Sequence, residues 1–417
     1  MLNRKVLFLL YNYPPEIGTA PKRNFQLSEN LAKAFEQKFV ITCHKPNRIP
    51  PDYIKEIKSF DYRSIVRKYS DSGYVSEKLK KNFFSLILVK LINTFPINLC
   101  FGEGGGIYLI QSFFYASKIV KQHKITHIYS SYRPITDHFV AYLLTRRFSQ
   151  LFWIADYRDL PVEPHYEQQY FPKLHKSIYK SFLRKANVAL TISSGFTKEI
   201  AYYCEDTKVV MNGIDKEYLF PNPVLLSYFS IVYTGSLYLE DRNPNPLFIA
   251  LNNLIESGLI DSKLIKIIYA GKDGQSWEQL TSKWKLEEIG VNYGLISSED
   301  AKRLQNEACV NVLLTIASNK LQGVLTGKYV EYLQAGSPIL AIVKKQNDSF
   351  LANELKELKA GLSVSDQPES VMEVESFILE KYQNWLSSNK NEKSSLQDKI
   401  KLKYPEDQIL YALKQYL

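Results

Sequence analysis

Short apolar runs suited to buried strands alternate with helix-length amphipathic stretches along most of the chain. Residues 6–10 are followed by helical spacing over about 24–35 and then by 39–43; the pattern returns at 125–130, 151–155 and 188–192. A parallel strand pair needs a long crossover, usually a helix, so this alternation predicts a parallel sheet covered by helices. A second series begins near Ile231, with strand-like runs at 231–235, 265–271, 310–314 and 339–343. Two doubly wound α/β domains are therefore expected, at 1–222 and 223–403, with the boundary at Pro221-Asn222-Pro223, where two prolines interrupt any regular element. Residues 404–417 place Ile409, Leu410, Leu413 and Leu417 at helical spacing, and this last helix is expected to dock back on the first domain.

The length of 417 residues fits two cores better than one. Residues 5–11 read as a buried first strand, because the run is too short for the apolar region of a signal peptide. The apolar window 83–95 is broken by Lys90 and Asn93 and falls short of a membrane span. Cys43, Cys100, Cys204 and Cys309 have no short spacing, which points to reduced thiols in a cytoplasmic compartment.

The net charge of +10 is unevenly placed: residues 1–220 carry 32 basic against 19 acidic side chains, leaving 21 against 24 for 221–417. The first domain should therefore meet something anionic. No helix-turn-helix, zinc-finger or RNP-type string accompanies the charge, so nucleic acid is not expected. Lys78, Lys80 and Lys81 lead into the apolar run 83–89. That combination suits either an interfacial helix on the inner face of the membrane or an ordinary helix packed on its own domain.

The densest chemistry lies in 326–340. Thr326-Gly327-Lys328 precedes Glu331 by one helical turn, Gly336 ends the helix, and Pro338 leads into the strand. A helix start offers unpaired amides and a partial positive charge to a diphosphate, and a carboxylate one turn in can accept from a sugar hydroxyl. Lys328 and Glu331 could equally form a simple intrahelical pair. The run Gly102-Glu103-Gly104-Gly105-Gly106 lacks a preceding strand and the Lys-Ser/Thr of a phosphate loop, and is expected to be a flexible loop. The chain has no Asp-x-Asp string and no histidine-carboxylate ligand spacing, so no metal and no cofactor are expected.

These landmarks occur in a telling order: 13–20 after the first strand, 154–159, Ile192-Ser193, Asn212-Gly213-Ile214-Asp215, 233–237 with Arg242, and 326–340. In that order the chain resembles the retaining glycosyltransferases of family-4 type with the GT-B fold, especially those of bacterial capsule, O-antigen and exopolysaccharide assembly. The resemblance implies two Rossmann-like domains facing across a cleft, the first binding the acceptor and the second the nucleotide sugar. It implies a donor site of Gly18, Gly235, Leu325, Thr326, Gly327 and Glu331, with Arg242 and Lys328 as cations on the diphosphate. The substrates implied are a nucleoside diphosphate sugar, most simply uridine-linked, and a lipid-linked glycan.

One departure stands out: the family pattern has a glutamate seven residues before the second, and Gly323 occupies that place. Where relatives carry a histidine facing the sugar, this chain offers Asp156, Arg158 and Asp159, with His138 near another strand end. Asp156 is the candidate to position or deprotonate the acceptor hydroxyl, with Arg158, Asp159 and His138 as acceptor contacts; a structural ion network is the alternative. Two rival functions use the same architecture: a catalytically silent carbohydrate- or partner-binding protein, and a sugar-nucleotide 2-epimerase.

Overall fold

The computed structural model describes residues 4–16, 18–44, 49–59, 83–162, 169–212, 227–237, 243–317, 322–323, 325, 327–387, 396, 399–400, 403–405 and 407–417. The chain forms two compact units, one from Met1–Gly213 with Glu406–Leu417, the other from Ile214–Pro405. The proline pair at 221–223 lies outside the described residues.

The first unit holds strands β1 (Lys5–Leu9), β2 (Gln37–Cys43), β3 (Ile54–Ile57), β4 (His127–Tyr132), β5 (Phe152–Tyr157), β6 (Val188–Thr191) and β7 (Thr207–Val209). They form one sheet in the order β3-β2-β1-β4-β5-β6-β7, and every pairing is parallel. The chain winds outward from β1 to β3 and returns on the other side at β4, so the strand order reverses between β1 and β4. In such sheets ligands bind beyond the carboxyl ends of the strands at that point.

Helix Thr19–Ala32 begins five residues before the apolar pattern suggests. The reason is chemical: its first buried positions include Arg23 and Asn24, which are held by hydrogen bonds and not by apolar packing. Near its other end Leu27 and Leu31 share a core with Ile409 and Leu413 of the last helix, Gln408–Leu413, both 0% exposed. Burying each such leucine or isoleucine contributes about 1.5–3 kcal/mol, which fixes the end of the chain on this unit. The side-chain amide of Gln408 adds a pair of bonds to Met211, donating to its carbonyl and accepting from its N–H, each at 3.1 Å.

The glycine run at 102–106 is not a long loop. Gly105 and Gly106 open helix Gly105–His123, and only Gly102 to Gly104 form the turn from helix Ile97–Phe101.

The second unit holds β8 (Phe229–Thr234), β9 (Ile265–Ala270), β10 (Gly290–Asn292), β11 (Val310–Ile316), β12 (Ile339–Lys344) and β13 (Gly361–Ser365), in the order β10-β9-β8-β11-β12-β13. Again every pairing is parallel, and here the order reverses between β8 and β11. Its core joins alternate residues of β8 and β9, such as Phe229, Ile231, Ile265 and Ile267, to Phe248, Trp277 and Ile378 of the covering helices. Among the described residues no helix is long and apolar enough to cross a membrane.

Candidate functional site

In the second unit the reversal point puts Thr234 and Gly235 at the carboxyl end of β8. Helix Gly327–Ala335 brings two side chains to that end. Tyr332 donates its hydroxyl to the Thr234 carbonyl at 3.3 Å and accepts from the Thr234 N–H at 3.4 Å. Lys328 donates from Nζ to Glu331 Oε2 at 2.8 Å and to Thr234 Oγ1 at 3.4 Å. Gln305, 1% exposed on helix Ser298–Glu307, donates to Thr234 Oγ1 at 2.8 Å and to Glu331 Oε2 at 3.4 Å.

Lys328 and Glu331 are thus partners in the unliganded molecule, 39% and 32% exposed. A pair this open to water contributes at most about 1 kcal/mol. A diphosphate could therefore draw Lys328 away from Glu331 at modest cost.

Backbone conformation shapes the same corner. Gly235 adopts φ 137°. Beside it, Gly271 directly follows β9, and a Cβ there would overlap the Gly235 carbonyl oxygen and the Tyr269 hydroxyl. Only glycine lets these two strand ends lie so close. Gly323 is buried with φ 69° and donates its N–H to Asp348 Oδ2 at 2.7 Å. Asp348 also caps helix Ser349–Leu358 through the Phe350 and Leu351 amides. A side chain at 323 would have to adopt the left-handed backbone that glycine favours. Leu325 is buried and Gly327 opens the helix, while Thr326 and Arg242 lie outside the described residues.

In the first unit Gly18 follows β1 as the exposed N-cap of helix Thr19–Ala32, at φ 149°. Asp156 needs a different reading from the one its sequence suggests. It is 0% exposed, and its two oxygens accept from Arg23 Nη2 at 2.6 Å and Nε at 3.2 Å, with a third bond from Ser131 Oγ at 3.2 Å. Arg23 is also fully buried and donates to Asn212 Oδ1 at 3.1 Å. In this arrangement Asp156 presents no atom to an acceptor hydroxyl; it neutralises a buried guanidinium.

His138 is buried among Tyr132, Trp153 and Tyr157, with Nδ1 bonded to Ser130 Oγ at 2.7 Å. Burial lowers its pKa to about 3, so it stays neutral and belongs to the core of the unit. Arg158 and Asp159 remain partly open at the end of β5, joined at 2.9 Å. Burial would raise the Asp159 carboxyl, but Arg158 and Arg133 outweigh it and hold it below its ordinary value. Both side chains are therefore open to a ligand at this strand end.

Asp137 opposes His138 in the pH dependence of stability. Burial raises its carboxyl to about 7, although the Tyr11 N–H and the Tyr108 hydroxyl both donate to it. A folded pKa above the unfolded 3.8 gives stability that is lost as pH rises towards 7. His138, with a folded value below 6.5, gives stability that is lost as pH falls. Asp137→Asn removes the first effect, so its urea midpoint should fall more steeply than that of the wild type between about pH 6.5 and about pH 4.5. Equal slopes would mean that Asp137 is ionised throughout this range.

Thr234 and Tyr332 lie within the landmark runs without a role assigned to them, and Gln305 and Arg23 lie outside those runs. One signal was available: Arg23 sits at a buried-face position of a helix, where a charge must find a partner. Nothing local marked Gln305.

Comparison with known proteins bears on the fold. No family model matches the chain, and no curated protein matches it. Solved structures do. The chain is similar to a sucrose-phosphate synthase from Thermosynechococcus elongatus, at 14% identity over 99% of this chain and 98% of that one, with a TM-score of 0.61. It is also similar to an E. coli trehalose-6-phosphate structure bound with UDP-2-fluoro glucose, at 12% identity, 99% and 98% coverage and a TM-score of 0.59. A third is the lipopolysaccharide outer core galactosyltransferase WaaB, at 12% identity, 99% and 100% coverage and a TM-score of 0.57. The fold is GT-B, made of two Rossmann-like parallel-sheet domains.

Proposed function

We propose that the chain is a glycosyltransferase that moves a sugar from a nucleoside diphosphate sugar to a hydroxyl group. The observation that carries this reading is the meeting of Lys328, Glu331, Thr234 and Gly235 where the strand order of the second unit reverses, at the start of a helix. That corner combines a cation, open backbone and a carboxylate, which a phosphate and a sugar or ribose hydroxyl require. The fold's likeness to structures named as glycosyltransferases supports the same class. We further read the donor as uridine-linked, the acceptor as a lipid-linked glycan, and the stereochemical outcome as retention.

No protein nucleophile is needed. The acceptor oxygen bonds to the anomeric carbon on the face from which the diphosphate departs, the carbon–oxygen bond to phosphate breaks, and a phosphate oxygen takes the acceptor proton. The protein supplies position and charge: Lys328, with Arg242, stabilises the leaving diphosphate, while Glu331 holds a hydroxyl of the donor. Arg158 and Asp159, partly open at the end of β5, are polar groups available to the acceptor.

Incubating purified protein with labelled nucleotide sugars, with and without glycan acceptors, tests the reading. Acceptor-dependent transfer supports it; a free epimer or no turnover with any donor sinks it. Glu331→Gln should weaken binding of the cognate nucleotide sugar by about 1.5–3 kcal/mol, read by calorimetry, because one charge-assisted hydrogen bond is lost. Unchanged affinity would remove Glu331 from the site.

A further inference from the structure

Lys78, Lys80 and Lys81, the basic lead marked out by sequence, lie outside the described residues. A group with no part in the proposed reaction sits in the second unit: Gln305, buried on the last turn of helix Ser298–Glu307. The buried Asn311 side chain on β11 donates to the Gln305 carbonyl at 2.9 Å, so the backbone that carries this amide is itself held. Gln305 Nε2 has two hydrogens. One goes to Thr234 Oγ1 at 2.8 Å and the other to Glu331 Oε2 at 3.4 Å.

The donor and acceptor capacities of these groups fix the direction of the network. A threonine hydroxyl has two acceptor sites and one hydrogen. Gln305 and Lys328 both donate to Thr234 Oγ1, which leaves its own hydrogen to point at Tyr332 Oη, 3.2 Å away. A glutamine needed only to satisfy Thr234 would use one N–H there. The second N–H instead meets a carboxylate that is partly open to water and belongs to the donor corner. Glu331 Oε2 thus accepts from both Lys328 and Gln305, while Oε1 meets no donor among the described residues. When a diphosphate draws Lys328 away, Gln305 still holds Oε2, and Oε1 remains the acceptor for a ligand hydroxyl. Without Gln305 the departing ammonium would leave the carboxylate to reorient, and binding would have to order it again.

We infer that Gln305 is a positioning residue for the donor: it fixes the Glu331 carboxylate, so that Lys328 can turn to the diphosphate while Glu331 keeps its place for a hydroxyl of the same ligand. The inference rests on the nucleotide-sugar reading of this corner and adds to it a residue that touches no substrate and acts through Glu331.

Calorimetry of the full chain with uridine, guanosine, adenosine and cytidine diphosphates finds the nucleotide that the wild type binds, and the variants are compared on it. Gln305→Met keeps the volume and removes both N–H donors, and should weaken binding about tenfold, the scale of one lost hydrogen bond to a charged group. Gln305→Met combined with Glu331→Gln should bind no more weakly than Glu331→Gln alone, because the glutamine acts through that carboxylate. Gln305→Glu places a second carboxyl against Glu331: ionised, it repels Glu331 and holds Lys328; protonated, it donates as the amide did. Its affinity relative to the wild type should therefore recover as pH falls from about 8 to about 6. Wild-type affinity in Gln305→Met, fully additive losses in the double variant, or a pH-independent ratio for Gln305→Glu overturns the inference and leaves the nucleotide-sugar reading standing. Failure of the wild type to bind any of these nucleotides sinks both. Should Gln305→Met not fold, the pH dependence of Gln305→Glu decides alone.

Discussion

Asp156→Ala is expected to lower the unfolding free energy by about 3–5 kcal/mol, the largest stability effect among the single changes considered, because it leaves the Arg23 guanidinium buried without its counter-charge. Burial opposes the charged form of Arg23, and the Asp156 carboxylate more than offsets it, raising the guanidinium above its ordinary value. Removing the carboxylate leaves only the opposing effect. The double change Arg23→Leu with Asp156→Leu should recover much of the loss, since an apolar pair of similar volume needs no desolvation of charge. Urea unfolding of the three proteins checks this. The competing role, in which Asp156 positions an acceptor, predicts the reverse for Asp156→Asn: stability near that of the wild type with transfer abolished. That pattern would restore Asp156 to the site.

Lys328→Ala should reduce kcat by about 10²–10³-fold, the scale on which removing one preorganised donor acts where transition-state charge develops. Donor affinity should fall less, because the charge on the departing diphosphate is greatest in the transition state. The fold should be unaffected, as the Lys328–Glu331 pair is half open to water. Steady-state kinetics separate the outcomes. A rise in KM with kcat unchanged would make Lys328 a ground-state contact alone, and unchanged values of both would remove it from the mechanism. Arg242→Ala should act in the same direction.

Much of the frame is written locally. The central strands are buried on both faces, so their apolar runs stood out, and the boundaries found for β1, β6 and β9 agree with them to within a residue. The edge strands β3, β7, β10 and β13 did not stand out. They are three to five residues long, include half-exposed positions, and become strands only when a neighbour supplies the ladder. The start of helix Thr19–Ala32 was hidden for a related reason, because its buried face carries Arg23 and Asn24.

The sequence by itself determined the two parallel-sheet domains and the helix that presents Lys328 and Glu331, because apolar period, glycine stops and charge spacing are properties of neighbouring residues. Only the tertiary structure decided what those groups touch. Gln305 reaches Glu331 across 26 positions of sequence, and Lys328 reaches Thr234 across 94. Asp156 looked like an acceptor contact beside Arg158, yet its partner is Arg23, 133 residues earlier, because strand order brings the first helix over β5. A carboxylate's role follows from its partners and its exposure, and in a parallel sheet those are set by crossovers that join distant segments.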